Sequence, residues 1–540
     1  MSDMTIEQKV GAMLAFGWAG EEPTLVNDHA RELLEEMQVG SIVLLGRNVS
    51  PDLRQTAETI NELQSLSSEP LFIIADQEGG MVARFVEGVT VFPSNMALGA
   101  TGDPTLAYKA ASATARELGA MGVNFNFAPC ADVNNNPDNP IIGTRSYGES
   151  ADKVAEFTAS AITGYQRSGM IACAKHFPGH GDTAVDSHLA LPSVPYPRER
   201  LDAVELKPFR AAIEAGVGSI MTAHILFPAL DSSLPSTLSP RVVTGLLREE
   251  LGYEGVVVTD CMEMKAIADN FGTPEAAVMA IEAGVDLVLV SHTLSTQRET
   301  REAILRAVKD GRISERRIDE SVSRIVALKK RFSLAARRQV DPSKIKLVLR
   351  CPKHIALQQE IAEKAVTLVR NEEKLIPLRL HDSERVVITG LHPTVEPLSE
   401  AVRHRHANTL ALRVDSSQGQ AAIREVLDCS SNCGAVIVAT CPREPWRQPI
   451  DLELQNRLIK DLVSAGRKII AVAVREPYDI RNFPEVKTYI CTYGYRGGML
   501  EAAAKLIFGE IEPQGKLPVT IPESATSKVE QPLSEIPEYF

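Results

Sequence analysis

The chain has 540 residues, 57 Lys and Arg against 70 Asp and Glu, a formal net charge of -13 and 44% hydrophobic residues. That length exceeds what one hydrophobic core supports, so two or more domains are expected. The acidic balance and the lack of any Lys/Arg run exclude an electrostatic footprint for nucleic acid, and no apolar run approaches the roughly 20 residues of a membrane span. A neutral or polar small substrate is expected.

The opening stretch MSDMTIEQKVGAMLAF lacks a basic segment followed by a long apolar run and a small-residue cleavage site, which predicts cytoplasmic residence. Cys130, Cys173, Cys261, Cys351, Cys429, Cys433, Cys441 and Cys491 are scattered and read as reduced core residues. For the DCSSNC pair, Cys429 and Cys433, a disulfide and half a metal site are the alternative readings, and four-residue spacing with no partner pair is weak evidence for either.

From residue 41 on, short apolar runs alternate with amphipathic ones. SIVLL (41–45), LFIIA (71–75), VNFNFAP (123–129), IACA (171–174), SIMTAHI (219–225), GVVVTD (255–260) and DLVLVS (286–291) predict strands buried on both faces. Helical patterns lie between them, among them PDLRQTAETINELQSL, PTLAYKAASATARELGAM, DKVAEFTASAITGYQRSG, RERLDAVELKPFRAAIEAG and RVVTGLLREELG. Gly40, Gly122, Gly169, Gly216 and Gly284 stand where helix C-caps belong. The alternation predicts a (β/α)8 TIM-type barrel over 1–335 with one irregular strand. Residues 336–354, charged and proline-containing, read as a linker. HIALQQEIAEKAVTLVRN then reads as a helix, and RVVITG, GAVIVAT, KIIAVAV and KTYICTY as strands of an αβα sandwich over 355–540. No Gly-rich phosphate loop follows these strands.

In such a barrel the chemistry sits at the carboxyl ends of the strands. Those ends carry Asp76, Asp132, Lys175, His176, His224, Asp260, Ser291 and His292. The densest stretch is KHFPGHGDTAVDSHLALP, 175–192, which opens from the IACA run and holds His176, His180, Asp182, Asp186 and His188. Acid–base chemistry, a metal site and a solvated turn are all open readings of such a loop. Against a metal, its glycines and proline do not hold ligands on one helical face, and it contains no cysteine.

KHFPGHGDT with its following DSH, DQEGG, IGTRSYG and VVVTDCMEM, in this chain's arrangement, resemble glycoside hydrolase family 3, and within it the β-N-acetylglucosaminidases of the NagZ type. EKAVTLVRNEEKLIPL and GEIEPQGKLPVTIP extend the resemblance through the second domain. The resemblance implies Asp260 as nucleophile, His188 as general acid/base and Asp186 as its orienting partner. It implies Asp76, Arg84, Arg145, Lys175 and His176 as the residues that hold the sugar, with neither metal nor other cofactor. It implies terminal β-linked N-acetylglucosaminides as substrates, in particular muropeptides of cell-wall recycling. The physical case agrees: a carboxylate must attack the anomeric carbon, and a histidine can replace the usual acid only if a neighbour orients it. A phosphorylase, a β-glucosidase or β-xylosidase, and a catalytically silent sugar-binding protein are the alternatives.

Overall fold

The computed structural model describes residues 4–442 and 450–522. Its first sheet has eight parallel strands: β1 (Leu14–Phe16), β2 (Ser41–Leu44), β3 (Phe72–Ala75), β4 (Phe125–Asn126), β5 (Ile171–Phe177), β6 (Ser219–Thr222), β7 (Val256–Thr259) and β8 (Val288–Val290). Each pairs with the next, β8 pairs with β1 through Leu14 and Val288, and a bridge from Val258 to Leu287 closes the barrel. The runs SIVL, FIIA and VVVT are buried along their whole length, as strands covered by helices outside and side chains inside must be.

The sequence predicts seven of these strands, and the eighth is Leu14–Phe16. Three residues after the helix Ile6–Ala12 carry no period of their own, and it is pairing with β2 and β8 that makes them a strand. The irregular strand is β4, reduced to two residues, where the Asn126 side chain accepts the Gln77 N–H at 2.9 Å. The pattern expected as one helix over 198–216 divides into Arg198–Ala203 and Lys207–Glu214. Pro208 explains the break: it cannot donate within a helix but suits a first turn. Gly122, Gly169, Gly216 and Gly284 have positive φ, whereas Gly40 does not: Gln38 takes the left-handed turn at φ 54. Gly40 instead permits close packing, since a Cβ there would lie 2.8 Å from the Ala12 backbone.

The stretch expected as a linker is a fitted strap. Arg338 donates to the carbonyls of Gln64 and Ser67, Val340 exchanges hydrogen bonds with Asn61, and Glu117 accepts the Arg350 N–H at 3.0 Å and His354 Nδ1 at 2.7 Å. The following helix, Pro352–Ala365, is shorter than expected. Thr367–Asn371 forms strand β9 instead, antiparallel to a later strand. The rest of the second sheet is β10 (Arg385–Gly390), β11 (Thr409–Arg413), β12 (Cys433–Thr440), β13 (Ile469–Ala473) and β14 (Thr488–Cys491), in the order β9-β14-β13-β12-β10-β11. The edge strand β11 is only partly buried, which is why TLALR gives no strand signal. Helix Val395–Arg403 packs with Met499–Phe508, and Gln420–Cys429 with Leu452–Ser464, completing an α/β sandwich.

The two cores interlock. Helix Asn95–Thr101, from the loops of the barrel, buries Met96, Ala97 and Ala100 in the core of the second domain. Among the described residues no helix is long and apolar enough to cross a membrane.

Candidate active site

The end of β5 sets the site. Its pairing with β6 runs through Cys173 and Ala174 and resumes at Phe177, so Lys175 and His176 fall in a register break. Successive residues of a regular strand point to opposite faces. Here both side chains enter one network, which a bulge permits.

Lys175 is buried, with Nζ 2.6 Å from Asp76 and 2.8 Å from Glu78. Asp76 follows β3, and a small hairpin (Gln77–Gly79 with Val82–Ala83) presents Glu78 and Arg84. The Gln77 side chain staples that hairpin by accepting from the Arg84 and Phe85 N–H groups and donating to the Phe85 carbonyl. Arg84 approaches Asp76 at 3.4 Å. Glu78 is gripped on its other side by Arg145, Nε at 3.0 Å and a terminal nitrogen at 2.8 Å. Burial opposes the charge of Glu78, but Arg145 and Lys175 outweigh it and hold its carboxyl well below the usual range. Lys175 is shifted the other way: burial lowers its pKa, while Asp76 and Glu78 raise it by more, to a net value above that of an ordinary lysine.

Arg145 also lies 3.2 Å from His176 Nε2, and His176 Nδ1 lies 2.7 Å from Asp132. Asp132 further accepts the backbone N–H groups of His176 at 3.2 Å and His180 at 2.6 Å, and the Cys130 thiol at 3.1 Å. Burial raises its pKa, but these partners prevail and keep it low.

The other half of the site is the 178–196 loop and the end of β7. His188 Nδ1 lies 2.7 Å from Asp186 Oδ1, and the same oxygen accepts the His188 N–H at 2.9 Å. His180 bonds Thr183 at 2.8 Å and Ser187 at 3.0 Å, so it shapes this loop. Burial, reinforced by His176, drives its pKa down to about 4. The Ser187 carbonyl accepts from Ala266, tying the loop to the segment after β7. On that segment Asp260 accepts the Cys261 N–H at 2.7 Å. Burial works against its charge, yet His176, His224 and His188 around it hold the carboxyl at about 2. His224 is itself pinned between Thr237 at 2.9 Å and the Cys261 carbonyl at 3.0 Å.

Residues 5–328 match the family model described as the glycosyl hydrolase family 3 N terminal domain, and residues 366–538 its C-terminal domain. The chain belongs to glycosyl hydrolase family 3. It is 32% identical to the beta-hexosaminidase A of Pseudoalteromonas piscicida, over 91% of this chain and 90% of that protein. A beta-hexosaminidase of Alkalilimnicola ehrlichii is 38% identical over 54% of this chain and 83% of its own length. Among solved structures, a family 3 beta-N-acetylglucosaminidase from Paenibacillus superposes with a TM-score of 0.88 at 40% identity, covering 97% of this chain and 100% of that one.

Of the residues singled out in the sequence, Asp76, Arg84, Arg145, Lys175 and His176 join one hydrogen-bonded network, while Asp186 and His188 form a pair on the loop that is tied to the segment after Asp260. The motifs alone give no role to Glu78 and Asp132, carboxylates that connect the network. The signals were present, since Glu78 lies inside DQEGG and Asp132 at a strand end.

Although the 175–192 loop holds no cysteine, cysteines arrive beside it from neighbouring strand ends. Donor atoms of Cys130, Asp132 and His176, and those of Cys261, Glu263 and His292, lie within 4.8 Å of one another in each group. Both groups are internally engaged. Asp132 holds the contacts described above, and Glu263 accepts the His292 and Thr293 N–H groups at 2.7 and 3.0 Å. The Arg47 guanidinium, 3.2 Å from His292 Nδ1, opposes a cation at the second group.

Proposed function

We propose that this chain hydrolyses terminal β-linked N-acetylglucosaminides with retention of configuration. Asp260 attacks the anomeric carbon while His188 Nε2 protonates the departing oxygen. The resulting glycosyl-enzyme is opened by water, whose proton returns to His188 and whose oxygen becomes the new anomeric hydroxyl. Asp186 accepts from His188 Nδ1, orienting the ring and stabilising its cation. Asp76, Arg84, Arg145, Lys175 and His176 hold the sugar hydroxyls, where bonds that tighten in the transition state lower the barrier.

The observation that carries this reading is the 2.7 Å His188–Asp186 contact on a loop that the hydrogen bond from Ala266 to the Ser187 carbonyl ties to the segment bearing Asp260. The beta-N-acetylglucosaminidase name of the 40%-identical Paenibacillus structure supports an N-acetylglucosaminide. Within that class we take muropeptides of cell-wall recycling as the natural substrates, in the cytoplasm. Cys130, Cys173, Cys261, Cys351, Cys429, Cys433 and Cys491 stand as free thiols, which suits a reducing compartment.

A histidine donor also favours a second reading, phosphorolysis, because a neutral imidazole repels an incoming phosphate less than a carboxylate does. A panel of p-nitrophenyl β-glycosides, with and without phosphate, tests both. The expected result is N-acetylglucosaminide turnover far above glucoside and xyloside, giving the free sugar whether or not phosphate is present. Sugar 1-phosphate as the product would reassign the chain to the phosphorylases, and preferred glucoside turnover would overturn the substrate class.

A further inference from the structure

The loop that carries Arg145 is held from outside by the second domain. It runs from β4 to the helix Ala151–Arg167, and the second domain meets it at four places. Asn134 donates to the Tyr478 hydroxyl at 3.0 Å, and Arg481 donates to Asp138 at 2.9 Å. Gly143, at φ 43, lies against Glu476 so closely that a Cβ would sit 2.5 Å from its carboxylate. The Glu149 N–H donates to the Pro518 carbonyl at 3.1 Å. Glu476, Tyr478 and Arg481 all belong to one stretch just after β13, where Tyr478 is buried and Arg481 folds over its ring at 5.5 Å.

Helix Asn95–Thr101 adds a further hold. Asn95 donates to the Arg145 carbonyl at 2.7 Å, and the next two residues, Met96 and Ala97, lie in the second domain's core. The barrel has its own ties to the loop, from Asn139 to the His180 carbonyl and from Ser146 to the Asp132 carbonyl. Those lie before and after the turn Gly143–Arg145, and the turn itself is met by Glu476 and Asn95.

We propose that Tyr478 and Arg481 are positioning residues for sugar binding, holding the Asn134–Glu149 loop so that Arg145 reaches Glu78 and His176 in productive geometry. This rests on the reading of Arg145 as a sugar-holding residue. The fork of Arg145 on Glu78 demands registration of the loop, and misplacement by about 1 Å in a binding group costs up to roughly a hundredfold in rate.

The test is a mutant cycle in the full-length chain. Tyr478→Phe, Arg481→Gln and Arg145→Lys are made singly and in combination, and kcat, KM and the thermal midpoint are measured with p-nitrophenyl β-N-acetylglucosaminide. Tyr478→Phe and Arg481→Gln should each lower kcat/KM about tenfold, mainly through KM, with little change in midpoint, and should lose most of that effect in the Arg145→Lys background. A merely structural role would add equally in both backgrounds. Asp138→Ala cuts the same tie from the barrel side and replaces Arg481→Gln if that variant does not fold. Unchanged kcat/KM in the folded single variants, or an undiminished loss beside Arg145→Lys, overturns the proposal. If Arg145→Lys alone leaves kcat/KM unchanged, the reading of the sugar site fails instead.

Discussion

At the scale of single residues, the proposed mechanism separates a charged nucleophile, Asp260, from a group that handles protons, His188. With its carboxyl held at about 2, Asp260 is ionised at neutral pH and has no proton to lose before it attacks. Asp260→Ala should therefore remove nearly all turnover while the fold survives, and a fluoro-sugar adduct located by mass spectrometry should fall on Asp260 in the parent enzyme. An adduct on any other residue would refute the assignment. His188→Ala should slow substrates with poor leaving groups by roughly 10² to 10⁴, and those with acidic phenols much less, because a good leaving group departs without a proton. Deglycosylation should also slow, so the covalent intermediate should accumulate on the good substrates. Asp186→Asn should show a milder form, the ring remaining but poorly oriented. A loss uniform across leaving groups would mean that His188 only binds substrate.

At the scale of elements, the site depends on buried carboxylates that join strand ends. Asp132 serves the end of β5 and the loop beyond it at once, since its oxygens receive the His176 ring, two backbone N–H groups and a thiol. Replacing it by Asn should cost about 3–5 kcal/mol near neutral pH, the usual result of removing one partner from a buried pair. The folded-state pKa of Asp132 is depressed, so its stabilisation is present above the ordinary carboxylate range and is lost as the pH falls through the depressed value. The gap in unfolding free energy between the parent and Asp132→Asn should thus narrow on acidification. A gap that widens with acid would contradict the ionised pairing.

For the whole molecule, the second domain is part of how the barrel is built. Met96, Ala97 and Ala100 leave the barrel to fill the other core, and His354, at the start of the Pro352–Ala365 helix, pairs with Glu117 of the barrel. A chain ending at residue 335 should expose that apolar helix face, unfold at a lower temperature than the full chain and lose kcat/KM. Equal stability and activity would show that the barrel is self-sufficient.

The sequence by itself determined the alternation of buried strands and helices, the family motifs and the residues at the strand ends. Each of these is written in neighbouring positions: β-branched runs, helix periods, caps, and short motifs such as DQEGG and KHFPGHGDT. Only the tertiary structure decided which charges meet. Glu78 is unremarkable in sequence until the barrel brings Lys175 and Arg145 to it, and Asp132 until His176 and His180 close on it. The strand Leu14–Phe16 exists because β8 returns to it, and the loop that carries Arg145 meets Tyr478 and Arg481, which lie beyond the 336–354 strap in another domain. A local pattern records what a segment buries, whereas a buried charge is satisfied by a partner that only chain closure supplies.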